Sequence, residues 1–345
     1  MKFIAIALLL LFVNGCVSVD DKSYYTEANL VTEVEPYIIE LNDEGEVHIK
    51  EQAKLYLDKI DSLNDNTHIV IFVHGWRHNA SPGDRNLQEF RAFMSHLELN
   101  SEDDFVGLYV GWRGKSRKGF DLHTLGDRKQ ISEVVGRNGL RDIIEQTKEK
   151  IEKKSNVKLA VIGHSLGGSA VYNAIAEDLK DQSFNFSSQY SFIMLNPAFS
   201  KEEFKESYTG VENYRLNENE QPIIVFQANE DFAVRWLLPI FTGSDSVGFS
   251  PNDTLTHTSW ACSKNDAECL AMIQDKTQVH PECNKVINEG SWFINTYNDG
   301  NGISCSESWR LPAYVIQTAN TISGSHNQIL TSTEAEALLD FFILK

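Results

Sequence analysis

The sequence predicts an α/β fold, with a mostly parallel central sheet flanked by helices. Three observations carry this. Short apolar runs of strand length alternate with longer stretches of helical spacing along most of the chain, and strands that alternate with helices pair in parallel through crossover connections. One run, Leu159-Ala160-Val161-Ile162, leads straight into Gly163-His164-Ser165-Leu166-Gly167 and then a helix-like stretch from Ala170 to Leu179. Finally, 345 residues, 41% of them hydrophobic, suffice for a large core.

The N-terminus stands apart from this pattern. A basic start, Met1-Lys2, precedes an apolar run of eleven residues from Phe3 to Val13. A membrane-spanning helix needs about 20 residues, so the run reads as a secretory signal. Val13-Asn14-Gly15-Cys16 resembles a bacterial lipobox, in which the cysteine is lipidated; the alternative is an ordinary secretory signal with Cys16 kept in the mature chain. Residues 1–15 are read as the signal peptide, 16–35 as a polar tether and 36–345 as the folded domain. Several acyl chains on one cysteine anchor stably where one does not. Val17 is not the aspartate associated with inner-membrane retention, so the expected address is the cell envelope, at an outer membrane facing the periplasm or the exterior.

Within the domain, Tyr37–Leu41 and Val47–Ile49 flank the turn residues Asn42-Asp43-Glu44-Gly45 and read as a hairpin. Helical spacing follows from Glu51 to Leu63, a buried-strand run from His68 to Val73, a helix from Leu87 to Leu99 and a strand from Phe105 to Val110. Leu140 to Lys153 is helical and charged on one face. Tyr190–Leu195, Pro222–Ala228 and Ala313–Gln317 read as strands, and Thr331-x-x-Glu334 as a capping box opening a last helix. Residues 237–312 break the rhythm, with many turn residues and scattered aromatics, and read as a cap-like insertion over the mouth of a site.

Charge and cysteines narrow the class. A formal charge of −18 excludes a nucleic-acid partner, which requires a basic face. Apart from Cys16, the cysteines are Cys262, Cys269, Cys283 and Cys305, all inside the insertion. In an oxidising compartment an even set of this kind reads as two disulfides. Three pairings are open, of which Cys262–Cys269 and Cys283–Cys305 are nearest in sequence. Their spacings are too wide for a metal knuckle, and no metal or organic cofactor is expected. Gly111-Trp112-Arg113-Gly114-Lys115-Ser116 ends like a phosphate loop, but Tyr109 occupies the position where that motif needs its first glycine.

Gly-x-Ser-x-Gly between a strand and a helix reads as a nucleophile elbow. A serine on so sharp a turn has its Oγ pushed clear of the backbone. Gly163 and Gly167 keep the flanks small enough for strand and helix to pass. An activated serine needs a base, an acid to orient the base, and donors for an oxyanion. After Ser165 the acid is expected next, at the carboxyl end of a strand. Ile223–Phe226 runs out into Gln227-Ala228-Asn229-Glu230-Asp231, which offers Asp231, with Glu230 as competitor. His326, in Gly324-Ser325-His326-Asn327 between the last strand and last helix, is the candidate base; His257 and His280 lie in the insertion. Leu166 N–H is one oxyanion donor. The other is Trp76 N–H, from His74-Gly75-Trp76 at the end of the His68–Val73 strand. His74 and His164 are read as packing residues beside the oxyanion loop and elbow, and Trp112 and Arg113 as lining or buttressing the cleft.

These residues, in this order, resemble the α/β-hydrolase superfamily over roughly residues 36–345 apart from the insertion. His-Gly at a strand end is similar to the lipase and esterase pattern. The strings Phe72 to Ala80 and Val110 to Gly114 are similar to a branch of esterase- or lipase-like hydrolases. The resemblance implies an α/β-hydrolase fold and a serine hydrolase that cleaves carboxylic esters through an acyl-enzyme. Its substrate would be a small-molecule or lipid ester. Lipase, thioesterase, amidase or acyltransferase chemistry would use the same triad, and a surface lipoprotein that only binds a partner on this scaffold is the non-enzymatic alternative.

Overall fold

The structure, a computed structural model, describes residues 21–26, 36–115, 124–228, 245–247, 258–263, 284–288, 292–297 and 311–318, with Pro239, Leu330, Leu339 and Ile343 as isolated positions. Its strands are β1 (Tyr37–Leu41), β2 (Thr67–Val73), β3 (Asp104–Trp112), β4 (Val157–His164), β5 (Tyr190–Leu195), β6 (Ile223–Ala228), β7 (Thr258–Ser263), β8 (Asn284–Asn288), β9 (Trp292–Tyr297) and β10 (Ala313–Thr318). They form one sheet in the order β1-β3-β2-β4-β5-β6-β10-β7-β9-β8. Every pairing from β1 across to β7 is parallel, and β9 and β8 then add antiparallel.

Helices cover both faces of the sheet. They are α1 (Lys50–Asp61), α2 (Arg85–Asn100), α3 (Leu125–Val135), α4 (Arg141–Ile151), α5 (Leu166–Lys180) and α6 (Lys201–Val211), with a π-helical turn, Gly136–Leu140, joining α3 to α4. Alternate strand residues point to opposite faces. Ile69, Ile71 and Val73 of β2 therefore pack with α1, α4 and α5, and Val70 and Phe72 pack with Leu87, Phe90 and Phe93 of α2. Leu339 and Ile343 join the α2 side. Because both faces are covered, all seven residues of β2 are buried, which is why the strand reads as a continuous apolar run rather than an alternating one.

Three features differ from the sequence reading. The Asn42–Gly45 turn closes, with Gly45 at φ 83°, but its two arms share a single bridge, Leu41–Val47. β1 instead pairs in parallel with β3, so the long-range ladder outcompetes the local hairpin. Two further helices, α3 and α6, are present. The strands of the 237–312 segment extend the main sheet at its β10 edge. Thr331 and Glu334 of the expected capping box lie outside the described residues.

Candidate active site

In a parallel sheet the carboxyl ends of the strands share one edge, where ligands bind. Here that edge carries the loop after β2 (His74 onward), Trp112-Arg113 ending β3, Ser165 after β4 and Asn196 after β5. Ser165 is the single residue between β4 and α5, with φ 56° and ψ −118°. A non-glycine residue in this region costs on the order of 1–3 kcal/mol, so the surroundings must enforce it. Ser165 N–H donates to Leu195 O at 3.0 Å, while its carbonyl accepts Ser169 N–H at 3.1 Å and Ala198 N–H at 2.9 Å.

The glycines do the rest by close approach. A Cβ on Gly167 would stand 2.0 Å from Val73 O, and one on Gly163 would stand 2.5 Å from Gly167 O. The elbow helix thus lies directly against the end of β2. A Cβ on Gly75 would meet Ser165 Cβ at 2.9 Å, so the loop after β2 touches Ser165. Trp76, half-buried, packs against the core with the Arg77 guanidinium 4.2 Å above its ring.

His74 controls this loop. It is fully buried, stacked 5.6 Å from Trp112 at an interplanar angle of 5° and 5.5 Å from Tyr109. Burial pulls its pKa down to about 4, so the ring is neutral at ordinary pH. Trp112 N–H donates to Nε2 at 3.0 Å, which makes Nε2 the unprotonated nitrogen. Nδ1 therefore carries the proton and donates to Gly75 O at 2.9 Å. In a trans peptide the C=O and the following N–H point in opposite directions. Holding the Gly75 carbonyl thus sets the direction of Trp76 N–H. The Trp112 indole closes the bracket by donating to His74 O at 2.9 Å. Sequence reasoning gave His74 a packing role only, because its partner Trp112 lies 38 residues away.

Farther along the loop, Asp84 accepts His78 Nδ1–H at 3.0 Å, Asn79 N–H at 3.2 Å and Asn86 N–H at 2.9 Å, capping α2 and tying the loop back. Burial disfavours its charge, but the His78 hydrogen bond and charge outweigh that and hold the Asp84 carboxyl below the usual range.

Asn196 is a residue that sequence reasoning missed. It sits at φ 45° after β5, its N–H donates to Phe226 O at 2.7 Å, and its Oδ1 accepts Ala228 N–H at 2.8 Å. It thereby clamps the end of β6, from which the chain proceeds to Glu230 and Asp231. Asn196 Nδ2 and Gln227 Oε1 are buried without a partner among the described residues.

The structure thus brings Ser165, Leu166, Trp76, Gly75, His74, Gly163, His164 and Gly167 together at the carboxyl ends of β2 and β4. Asp231, Glu230, His326, His257, His280, Cys16, Cys269, Cys283 and Cys305 lie outside the described residues, and Cys262 is placed only as a backbone position of β7.

Residues 63–199, from the end of α1 through the elbow helix to β5 and the residues after it, match the family described as "Putative serine esterase (DUF676)". No curated protein matches the chain. Among solved structures it is similar to TT1662 from Thermus thermophilus, at 11% identity and TM-score 0.33, covering 81% of this chain and 88% of that one. It is also similar to phospholipase PlaB from Legionella pneumophila in complex with thio-NAD, at 14% identity and TM-score 0.33, covering 80% of this chain and 58% of that one. The matched segment contains the loop after β2, the elbow strand and the elbow helix.

Proposed function

We propose that this esterase-type α/β-hydrolase core cleaves carboxylic esters with Ser165 as nucleophile. The observation that carries the proposal is the strained backbone of Ser165 at the end of β4, with Gly75 of the neighbouring loop against its Cβ. Ser165 Oγ attacks the acyl carbon while His326 takes its proton, and Asp231 orients the imidazole. Negative charge gathers on the former carbonyl oxygen, where Trp76 N–H, aimed through His74, and Leu166 N–H at the start of α5 stabilise it. The imidazolium then protonates the leaving alcohol. Water, deprotonated by the same histidine, releases the acid and frees Ser165. Two facts support the placement of the acid and base. β6 and β10 are adjacent parallel strands, and Asp231 and His326 follow their carboxyl ends in the chain.

The same proposal holds that Cys16 carries the lipid anchor at the cell envelope. It also holds that residues 237–312 shape the mouth of the site, stapled by disulfides among Cys262, Cys269, Cys283 and Cys305. The test is Ser165→Ala. The variant should fold normally and retain only residual catalysis from binding and the oxyanion donors, a loss of at least about 10³ in kcat. Undiminished hydrolysis of a simple ester by this variant would remove Ser165 from the role.

A further inference from the structure

Residues 21–26, inside the stretch read as a tether, are clipped to β1. Glu40 of β1 is a buried carboxylate, 4% exposed. It accepts Tyr24 N–H at 2.8 Å and Tyr25 N–H at 3.3 Å, together with the Ser23 hydroxyl. Gln52 of α1 donates to the same carboxylate at 3.1 Å. Tyr25 is buried in the core on the α2 side. Asp21 accepts Asp43 N–H at 3.3 Å and lies 3.5 Å from His48. A buried carboxylate that gathers several donors makes a firm joint, because departure of the segment leaves it uncompensated.

The root of this clip is at the catalytic end of the sheet. Asp21 and Lys22 share a crevice with Asn79, Trp112 and Arg113, which lie beyond the carboxyl end of β2 and at that of β3. β2 separates β3 from β4, the strand of the nucleophile. Adjacent strands are about 4.8 Å apart, so the root stands roughly 10–15 Å across the sheet from the nucleophile's strand. Cys16 precedes Asp21 by five residues. An extended chain advances at most about 3.6 Å per residue, so Cys16 stays within about 18 Å of the root. Tyr24, beside the root, is 44% exposed. It is an aromatic with a polar tip, the type favoured at a membrane–water interface.

We infer that the clip turns the anchor at Cys16 into a short leash that holds the catalytic end of the sheet against the membrane, and that the substrate is a long-chain carboxylic ester lipid of that same leaflet. The inference rests on Ser165 hydrolysis and on lipidated Cys16. A tether free over all of 16–35 would let the domain wander. With 21–26 docked, only the links between Cys16 and Asp21 remain, and bilayer lipids become the ester at highest effective concentration. The reaction consumes one water per ester bond: the acyl group passes to Ser165 Oγ, the alcohol leaves with a proton, and water releases the fatty acid.

The test uses full-length lipidated protein in vesicles of phosphatidylethanolamine and phosphatidylglycerol. Fatty-acid release from the vesicles and hydrolysis of soluble p-nitrophenyl butyrate are measured side by side. A variant carries a Gly/Ser insert of about 20 residues between Asp20 and Asp21, adding a flexible span of about 25 Å while keeping anchor and clip. Fatty-acid release should fall at least about fivefold in this variant, with butyrate hydrolysis within about twofold of wild type. Release unchanged by the insertion overturns the inference, as does a wild-type protein that cleaves butyrate and leaves the vesicle lipids intact. Both of those results leave Ser165 as nucleophile. Butyrate hydrolysis surviving in Ser165→Ala instead overturns the reading on which the inference rests.

Discussion

The elbow and the β1 rim stand at the same end of the sheet, three strands apart, and are held by different physics. At the elbow the restraint is steric: glycines let backbone meet backbone, with Gly167 against Val73 O and Gly163 against Gly167 O. At the rim it is electrostatic. Asp43 in the turn after β1 accepts Arg113 Nε–H at 3.2 Å and Arg128 Nη1–H at 2.9 Å, tying the ends of β1 and β3 to α3. Arg128 is 3% exposed. Burial works against the Asp43 charge, but the two guanidiniums outweigh it and hold its carboxyl below the usual range. Steric contacts ignore pH and salt, whereas ion pairs respond to both. The elbow around Ser165 is built from the former, and the part that carries the N-terminal clip from the latter.

The largest effect should come from filling the elbow. Gly167→Ala places a methyl 2.0 Å from Val73 O and 2.6 Å from His74 O, both backbone atoms that cannot swing away. Urea unfolding should show a loss of about 4 kcal/mol or more, and ester hydrolysis should collapse with it. A variant within 1 kcal/mol of wild type would mean that the helix and β2 are not in contact.

Next comes His74. Its folded pKa is near 4 against the ordinary imidazole value of 6.5, so the unfolded chain binds the proton more readily between those values. Stability is therefore intact above pH 6.5 and is lost as pH falls toward 4, by up to about 3 kcal/mol. Burial lowers the His68 pKa as well, in the same sense. His74→Gln should flatten this slope. Its kcat should fall about tenfold with little change in KM, because Trp76 N–H loses its aim. An unaltered pH slope in the variant would contradict the buried neutral imidazole.

At the rim, Asp43→Asn leaves the buried Arg128 and the half-buried Arg113 short of a charge and should cost about 2 kcal/mol. Because the Asp43 pKa is depressed, the pair contributes fully above the ordinary carboxylate range and is lost as pH falls through the folded value. The gap between wild type and Asp43→Asn should thus narrow in acid, while the Gly167→Ala gap should not. The smallest effect belongs to the exposed pair Lys54–Asp58 on α1, where Lys54→Ala should leave the urea unfolding midpoint unchanged.

The sheet and the elbow were legible in the sequence because their signals are local: apolar runs, and glycines at fixed offsets from a serine. What escaped depends on partners far along the chain. α3 buries Arg128, Lys129 and Ser132 between Leu125 and Val135, so its inner face carries no continuous apolar stripe to read. Arg128 is buried because Asp43 lies 85 residues upstream. α6 also escaped, although its signal is local: the capping box Ser200-x-x-Glu203, in which Ser200 Oγ accepts Glu203 N–H at 3.1 Å and the Glu203 carboxylate accepts Ser200 N–H at 2.6 Å. The turn after β1 was correctly read from its residues, yet the strand it ends was claimed by β3. Tyr24 and Tyr25 looked like part of a polar tether, since nothing nearby in sequence reveals that Glu40 is buried and waiting for their N–H groups.

The most direct measurement is labelling of the full-length protein with a fluorophosphonate probe, followed by peptide mass mapping. The probe bonds only to a serine whose Oγ is activated. The expected result is one adduct, on the peptide containing Gly163-His164-Ser165-Leu166-Gly167, that disappears in Ser165→Ala and is strongly reduced in His326→Ala. Its rate should rise with pH as an imidazole gives up its proton. A wild-type protein that folds and takes no label, or a label that maps to another serine, would contradict Ser165 as the nucleophile.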